Sequence, residues 1–189
     1  MSNPSSYVVQ DAITIVVADD HHVVRSGLRL LLEGEDGFTV VGEAADADDA
    51  LRCVLGHKPA VLVLDLNMPG ATTSLQAIPL VRERSPQTAV VVLTMQEDPS
   101  FARSALQAGA AGYVLKDSAN TELVEAVRRT AAGETYLAPR LGAALAATAA
   151  APSVRTTGPP ASSAPRQRCR ATARSPAGSH RARSGRPAC

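Results

Sequence analysis

The chain has 189 residues, enough for one ordinary domain and a short further segment. Its charges are unevenly divided: residues 1–151 hold all 18 acidic and 11 basic residues, net −7, whereas residues 152–189 hold eight arginines and no acid, net +8. No apolar run approaches about 20 residues, and the N-terminus lacks a signal-peptide layout, so a membrane protein is excluded. The three cysteines show neither a pairing framework nor metal-ligand spacing, which favours a soluble, cytoplasmic protein.

Strand and helix patterns alternate along the first two thirds of the chain. Aliphatic runs predict five strands, at residues 13–18, 38–42, 60–64, 90–93 and 112–115. Helical spacing predicts helices at 22–33, at 46–55, from a start between 74 and 78, at 99–108, and from 120 or 121 to 132. The start of the third helix is placed so that Pro79 falls in its first turn, where a missing N–H costs least.

Five strands alternating with five helices predict a doubly wound parallel α/β sheet. In such a sheet the carboxyl ends of all strands meet at one edge, where ligands bind. Polar residues follow the predicted strands at this edge: Asp19, Asp20, Asp65, Thr94 and Lys116. We therefore expect residues separated by nearly a hundred positions to form one pocket.

The residue types in this pocket indicate phosphate chemistry on a carboxylate. Three clustered acids repel one another unless a cation lies between them, and Mg²⁺ prefers such oxygen ligands. Asp20 and Asp65 are predicted as direct ligands, with Asp19 direct or through water and the Asn67 backbone carbonyl as a further oxygen. Asp65 is then placed to act as the nucleophile towards a phosphoryl group.

Two other groups are predicted to contact the phosphoryl oxygens. Lys116 supplies a positive charge and Thr94 a hydroxyl donor. A lone aspartate at a strand end is usually a turn or cap residue, and a lone lysine is usually a solvated loop charge, so the prediction depends on the whole set. Asp48, in contrast, has the position of an ordinary surface carboxylate.

The sequence resembles the receiver domain of two-component response regulators, of the NarL/FixJ type, over about residues 12–140. The resemblance is carried by the segments VADDH (17–21), LVLDLNMPG (62–70), VLTM (92–95), AGAAGYVLKD (108–117) and GETYLAP (133–139). It implies a flavodoxin-like fold, phosphotransfer from a histidine kinase to Asp65, and Mg²⁺ held by Asp19 and Asp20. It further implies phosphate sensing by Thr94 and Lys116, and a switch role for Tyr113.

Relatives of this type normally continue into a helix-turn-helix DNA-binding domain, which has no counterpart here. We expect an N-terminal arm at 1–11, a receiver at 12–134, a linker at 135–151 that has helix-forming composition, and a disordered tail at 152–189. The tail has the composition of a GC-rich gene read out of frame, or it is a basic segment that contacts phosphates. DNA binding by this chain is accordingly doubtful.

Three functional classes remain open at this point. A phosphorylatable signalling module that is not an enzyme is the leading interpretation, with a homodimer among the expected assemblies. A transcription regulator requires an output domain. A phosphatase with an aspartyl nucleophile resembles this sheet, but Asn67 stands where such enzymes have a second acid.

Overall fold

The computed structural model describes residues 12–143, which form a parallel sheet covered by helices on both faces. The strands are β1 (Ile13–Ala18), β2 (Phe38–Ala44), β3 (Val61–Leu64), β4 (Ala89–Thr94), β5 (Gly112–Leu115) and β6 (Tyr136–Leu137). The helices are α1 (His22–Glu33), α2 (Ala47–His57), α3 (Ser74–Arg84), α4 (Pro99–Ala108) and α5 (Ala119–Ala131). A 3₁₀ turn at Lys116–Ser118 leads into α5.

The strand order is β2-β1-β3-β4-β5-β6, and every pair is parallel. This confirms the predicted α/β class and doubly wound arrangement, in which β1 and β3 flank the point where the chain reverses its direction across the sheet. The prediction of five strands was one short. The sixth strand is only two residues long, and its bonds to the β5 region run from Tyr136 N to Ala111 O and from Ala138 N to Tyr113 O.

Alternate residues of the central strands enter two separate apolar layers. One layer lies under α2, α3 and α4 and takes residues such as Val16, Leu62 and Val92. The other lies under α1 and α5 and takes residues such as Val17 and Val63. Each fully buried aliphatic side chain contributes about 1.5–3 kcal/mol relative to exposure, so burial on both faces holds the strand ends in a fixed position.

The third helix corrects one prediction. It begins at Ser74, where Thr73 and Gln76 form a reciprocal capping box, so Pro79 lies inside the helix and not in its first turn. The proline leaves the carbonyl of Leu75 without its helical donor. Leu75 is 37% exposed, so this turn of the helix lies at the surface of the molecule.

The remaining differences concern the ends of elements. The fifth helix begins at Ala119 after Ser118, and not after Asn120 or Thr121, because the 3₁₀ turn leads directly into it. Residues 139–143 are helical, in agreement with a helix-forming linker, but the rest of the linker, the arm at 1–11 and the predicted disordered tail lie outside the described residues. No helix within residues 12–143 has the length and apolar character needed to cross a bilayer.

Candidate functional site

The carboxyl edge of the sheet carries polar residues immediately after four neighbouring strands. Asp19 and Asp20 follow β1, Asp65 follows β3, Thr94 ends β4 and Lys116 follows β5. Because these strands are adjacent and in parallel register, their ends lie beside one another. Three of the predicted residues, Asp19, Asp65 and Lys116, make direct contact.

Lys116 lies between two buried carboxylates. Its Nζ donates a hydrogen bond to Asp65 Oδ2 at 2.7 Å and lies 2.7 Å from Asp19 Oδ2. The side chains of Asp19 and Asp65 are only 1% and 4% exposed. Partial burial acts to lower the pKa of Lys116, but hydrogen bonds and charge contact with both acids outweigh it and raise that pKa above its ordinary value. The lysine is therefore a fixed positive charge beside Asp65.

Each carboxylate oxygen of Asp19 has its own partner. Oδ1 accepts the backbone N–H of His21 at 2.8 Å. Oδ2 lies 2.7 Å from the Lys116 ammonium, which pairs with its charge. Asp19 and Asp65 thus share the single positive charge of Lys116, and Asp20 adds a third carboxylate next to Asp19. The excess of negative charge and the oxygen donors fit the predicted Mg²⁺ ion.

Asp20 contacts the imidazole of His21, a residue to which the sequence assigned no role. His21 Nδ1 lies 2.8 Å from Asp20 Oδ1 and 3.6 Å from Asp19 Oδ1. Within residues 12–143, these three side chains form the one group of potential ligands whose atoms all lie within 4.8 Å of one another. The signal in the sequence was the position of His21 directly after the acid pair.

Asp65 and Asn67 are linked to each other but are not part of that group. The Asn67 backbone N–H donates to Asp65 Oδ1 at 3.2 Å, so both carboxylate oxygens of Asp65 have donors. This fixes the side chain at the edge of the pocket. The metal-ligand roles of Asp65 and of the Asn67 carbonyl stay predictions.

Thr94 and Tyr113 meet at a residue that the sequence did not single out. Thr94 Oγ1 accepts the Gln96 backbone N–H at 3.3 Å, and the Tyr113 hydroxyl donates to the Gln96 carbonyl at 2.9 Å. Both side chains are fully buried. Burial, with a smaller effect of Asp98, raises the pKa of Tyr113 to about 12. Gln96 thus connects the predicted sensor hydroxyl to the predicted switch aromatic through its own peptide groups.

Asp48 is not the ordinary surface carboxylate that its position suggested. It accepts the Thr72 hydroxyl at 2.6 Å and the Thr72 N–H at 3.5 Å. The hydrogen bond from the hydroxyl lowers the pKa of Asp48. Because Thr72 lies in the loop between β3 and α3, Asp48 ties the start of α2 to the loop that follows Asp65.

Comparison with known proteins agrees with this geometry. Residues 15–128 match the response regulator receiver domain family. The oxygen regulatory protein NreC of Staphylococcus epidermidis is 42% identical over 131 residues, which are 69% of this chain and 60% of the relative. The chain thus spans about 60% of the length of the curated relatives it matches.

Two solved structures are similar over most of the described residues. A LuxR-family two-component response regulator from Aurantimonas sp. has a TM-score of 0.70 and 36% identity, covering 73% of this chain and 98% of that one. The receiver domain of the putative response regulator NarL from Mycobacterium tuberculosis has a TM-score of 0.63 and 39% identity, covering 66% and 99%. Both agree with the NarL-type resemblance of the sequence.

Proposed function

The chain belongs to the response regulator receiver domain family, and from that premise we propose that it accepts a phosphoryl group on Asp65 from a sensor histidine kinase. The observation that carries the proposal is the position of Asp65. Its side chain is 4% exposed at the carboxyl edge of the sheet and accepts a hydrogen bond from the charged amine of Lys116. An ion pair with a purely structural role needs only one carboxylate for each lysine, whereas Lys116 contacts both Asp65 and Asp19. Several carboxylates close together are typical of sites that bind a metal ion and transfer phosphoryl groups.

In the proposed reaction, a carboxylate oxygen of Asp65 attacks the phosphorus of a phosphohistidine. An O–P bond forms, the P–N bond breaks, and its electron pair returns to the imidazole nitrogen of the kinase. Lys116 holds a positive charge at the position where the phosphoryl oxygens arrive, so its contact with Asp65 Oδ2 is exchanged for one with the phosphoryl group. The Asn67 N–H keeps the carboxylate oriented.

Mg²⁺ is the proposed cofactor. Asp19, Asp20, Asp65 and the Asn67 carbonyl would hold it, and the three carboxylates, which carry more negative charge than Lys116 alone offsets, support a cation at this place. When bound, the ion offsets the negative charge of the acids and of the transferring group. Its hard-oxygen preference matches the carboxylates, which make up most of the donor set.

The response to phosphorylation is proposed to pass through Thr94 and Gln96 to Tyr113. A phosphoryl group adds about −1.5 to −2 charge and three acceptor oxygens. Lys116 already contacts Asp65, and the Thr94 hydroxyl at the end of the neighbouring strand β4 is the second proposed donor to them. Thr94 Oγ1 also accepts the Gln96 N–H, and the Gln96 carbonyl accepts the Tyr113 hydroxyl. A new hydrogen bond from Thr94 to the phosphoryl group would therefore shift Gln96 and change its contact with Tyr113.

The sequence predictions about localisation, partners and enzymatic activity are also proposals. We place the protein in the cytoplasm, with a kinase as its partner and no catalytic turnover of its own. An aspartyl phosphatase is disfavoured because the residue two positions after Asp65 is Asn67, whose backbone contacts Asp65 and which offers no acid. DNA binding and a homodimer stay predictions, as do the domain boundaries.

The decisive experiment is labelling with a small phosphodonor such as phosphoramidate. The full chain in Mg²⁺ should gain one acid-stable, base-labile phosphoryl group, seen by mass spectrometry. Asp65→Asn should abolish it and keep the fold, because the shape is retained and one buried charge is removed. Asp36→Asn is the matched control, since Asp36 is exposed. Full labelling of Asp65→Asn, or labelling that maps to Asp19, would overturn the proposal.

A further inference from the structure

A side chain of α1 holds the backbone of the loop that carries the acid pair. Arg25 is the fourth residue of that helix, and its Nη1 donates a hydrogen bond to the Asp19 carbonyl oxygen at 2.6 Å. Its Nε donates to Glu43 Oε2 at 3.1 Å. Only 14% of the Arg25 side chain is exposed, so it is not a solvated surface charge. One guanidinium thus connects the loop after β1 to the end of β2.

The two peptide groups that flank Asp19 are both held from the end of β2. The N–H of Asp19 donates to the Ala44 carbonyl at 3.1 Å, which continues the pairing of β1 with β2 beyond the last residue of β1. The C=O of Asp19 accepts from Arg25, which is anchored by Glu43. That C=O belongs to the planar peptide that joins Asp19 to Asp20. Fixing its oxygen therefore fixes the position from which the Asp20 side chain extends.

Arg25 can affect a bound cation in two ways that have opposite signs. Its positive charge repels the ion, so removal of that charge alone would strengthen Mg²⁺ binding. Its hydrogen bond to the Asp19 carbonyl orders the loop before the ion arrives, so removal of that bond would weaken Mg²⁺ binding. The direction of the change in affinity therefore distinguishes the two effects.

Arg29 provides a matched comparison, because it shares a partner with Arg25 but makes its other hydrogen bond within α1. Its Nη1 donates to Glu43 Oε1 at 2.9 Å and its Nε to Glu33 Oε1 at 3.1 Å. Hydrogen bonds from Arg29, and to a smaller extent from Arg25, lower the pKa of Glu43 although partial burial acts to raise it. Replacement of Arg29 thus removes a charge near Glu43 and leaves the contact of Arg25 with the loop in place.

We propose that Arg25 is a positioning residue of the acid pocket, whose hydrogen bond to the Asp19 carbonyl sets the affinity of Asp19 and Asp20 for Mg²⁺. The inference rests on the proposed function for the metal site, and it adds a residue that contacts neither the ion nor the phosphoryl group. Groups that support metal ligands in this way typically change the affinity by about 10–100-fold.

The first test is a calorimetric titration of the full chain with Mg²⁺. Arg25→Gln should bind Mg²⁺ about tenfold more weakly than wild type, whereas Arg29→Gln should bind it equally well. Arg25→Lys keeps the charge but lacks the guanidinium fork that joins the Asp19 carbonyl to Glu43, so its affinity should lie between those of wild type and Arg25→Gln.

The rate of labelling as a function of Mg²⁺ concentration separates positioning from general loosening of the fold. In Arg25→Gln, half of the maximum rate should require about tenfold more Mg²⁺ than in wild type. The maximum rate itself should be similar, because the direct contact of Lys116 with Asp65 is unchanged.

A further measurement needs no metal ion. The His21 N–H donates to Asp19 Oδ1 at 2.8 Å and therefore reports on the order of the loop. In the metal-free chain, hydrogen exchange at this N–H should be faster in Arg25→Gln than in wild type and unchanged in Arg29→Gln.

Three results would overturn the inference. Unchanged or increased Mg²⁺ affinity in Arg25→Gln would mean that Arg25 acts through its charge or has no effect on the ion. Equal losses in Arg25→Gln and Arg29→Gln would assign the effect to Glu43. A fall in the maximum labelling rate that parallels a fall in the urea midpoint would mean that Arg25 only stabilises the fold.

The outcome can be separated from that of the proposed function. If wild type is labelled at Asp65 and the two glutamine variants behave alike, only the role of Arg25 is wrong. If wild type is not labelled while Arg25→Gln alone loses Mg²⁺ affinity, phosphotransfer is wrong and Arg25 keeps its role. If wild type binds no Mg²⁺, the metal site is wrong, and exchange at His21 decides whether Arg25 orders the loop.

Discussion

The pocket has two ends, one held together by contacts between charged groups and the other by hydrogen bonds between neutral, buried groups. At the acid end, Asp19, Asp20 and His21 follow β1 and are organised by charge, with the Lys116 ammonium 2.7 Å from Asp19 Oδ2. At the hydroxyl end, Thr94 and Tyr113 are neutral, fully buried and joined through the Gln96 peptide. Asp65 follows β3, which lies between β1 and β4 in the sheet, and Lys116 contacts both Asp65 and Asp19. The contrast suggests that one end governs acceptance of ion and phosphate and the other governs the response.

The largest expected effect is at the acid end. Asp20→Asn removes the charge of a proposed Mg²⁺ ligand, so we expect it to weaken Mg²⁺ binding by about tenfold or more and to slow labelling of Asp65 accordingly. Calorimetric titration of Mg²⁺ measures the first effect and mass spectrometry the second. Asp36→Asn should leave both unchanged, because Asp36 is exposed and lies after α1, at the opposite edge of the sheet.

Asp48→Asn should have an effect on Mg²⁺ affinity between those of Asp20→Asn and Asp36→Asn. Its contacts with Thr72 hold the loop after Asp65, so its loss should weaken Mg²⁺ binding less than that of Asp20 and more than that of Asp36. If Asp36→Asn matched Asp20→Asn, the acid end would have no special role. If Asp48→Asn matched Asp20→Asn, the loop tether would be as important as the ligand itself.

A smaller and more selective effect is expected from substitutions at Thr94 and Lys116, which should change the response to phosphorylation more than phosphorylation itself. Thr94→Ala and Lys116→Ala should still be labelled at Asp65, more slowly, because neither supplies the nucleophile. They should remove the change in hydrogen exchange over residues 97–116 that a phosphoryl mimic such as beryllofluoride produces in wild type. Thr39→Ala, a matched change at an exposed site on β2, should keep that change.

A full-sized change in Lys116→Ala would show that the lysine is structural. Its contacts with Asp19 and Asp65 would then serve only to neutralise buried acids. A full-sized change in Thr94→Ala would disconnect the hydroxyl end from the phosphoryl group. Either result would contradict the assignment of phosphoryl acceptance to the acid end and of the conformational response to the hydroxyl end.

The sequence predicted the acid end better than the hydroxyl end, and the reason is physical. Asp19 and Asp20 follow β1, an aliphatic run whose last four residues are buried, so their place at the sheet edge follows from the strand pattern. Gln96 acts through its backbone N–H and C=O, which are common to nearly all residue types and carry no signal in the sequence. His21 ends the VADDH segment, but its contact with Asp20 depends on the turn geometry before α1.

The same reasoning explains which elements were predicted well. The bounds of β1, α4 and β5 agree with the prediction, since a polar residue or a glycine marks an end of each apolar pattern: Asp19 after β1, Asp98 and Gly109 around α4, and Lys116 after β5. The start of α3 at Ser74 lies within the predicted range of 74 to 78, but the placement of Pro79 in the first turn was wrong, because the capping box of Thr73 and Gln76 sets the start at the early end of that range. The strand β6 was missed because two residues show no periodicity, and only pairing with β5 makes them a strand.

The smallest expected effect concerns pH at the hydroxyl end. Burial raises the pKa of Tyr113 to about 12 from an ordinary value of 10.0, with Asp98 adding to the shift. Between pH 10 and 12 the unfolded chain has lost this proton and the folded chain has kept it. Stability from this group is therefore complete below pH 10 and is lost as the pH rises towards 12. Urea midpoints measured across this range should fall more steeply for wild type than for Tyr113→Phe.

The comparison at pH 7 separates this titration from the hydrogen bond itself. There, Tyr113→Phe loses the bond from the hydroxyl to the Gln96 carbonyl, at a cost of about 0.5–1.5 kcal/mol. As the pH rises, the difference between the two proteins should narrow, because only wild type carries the buried phenol. Equal slopes would show that Tyr113 ionises freely in the folded protein. The hydroxyl end would then be more open to water than its burial indicates, and the contrast with the acid end would weaken.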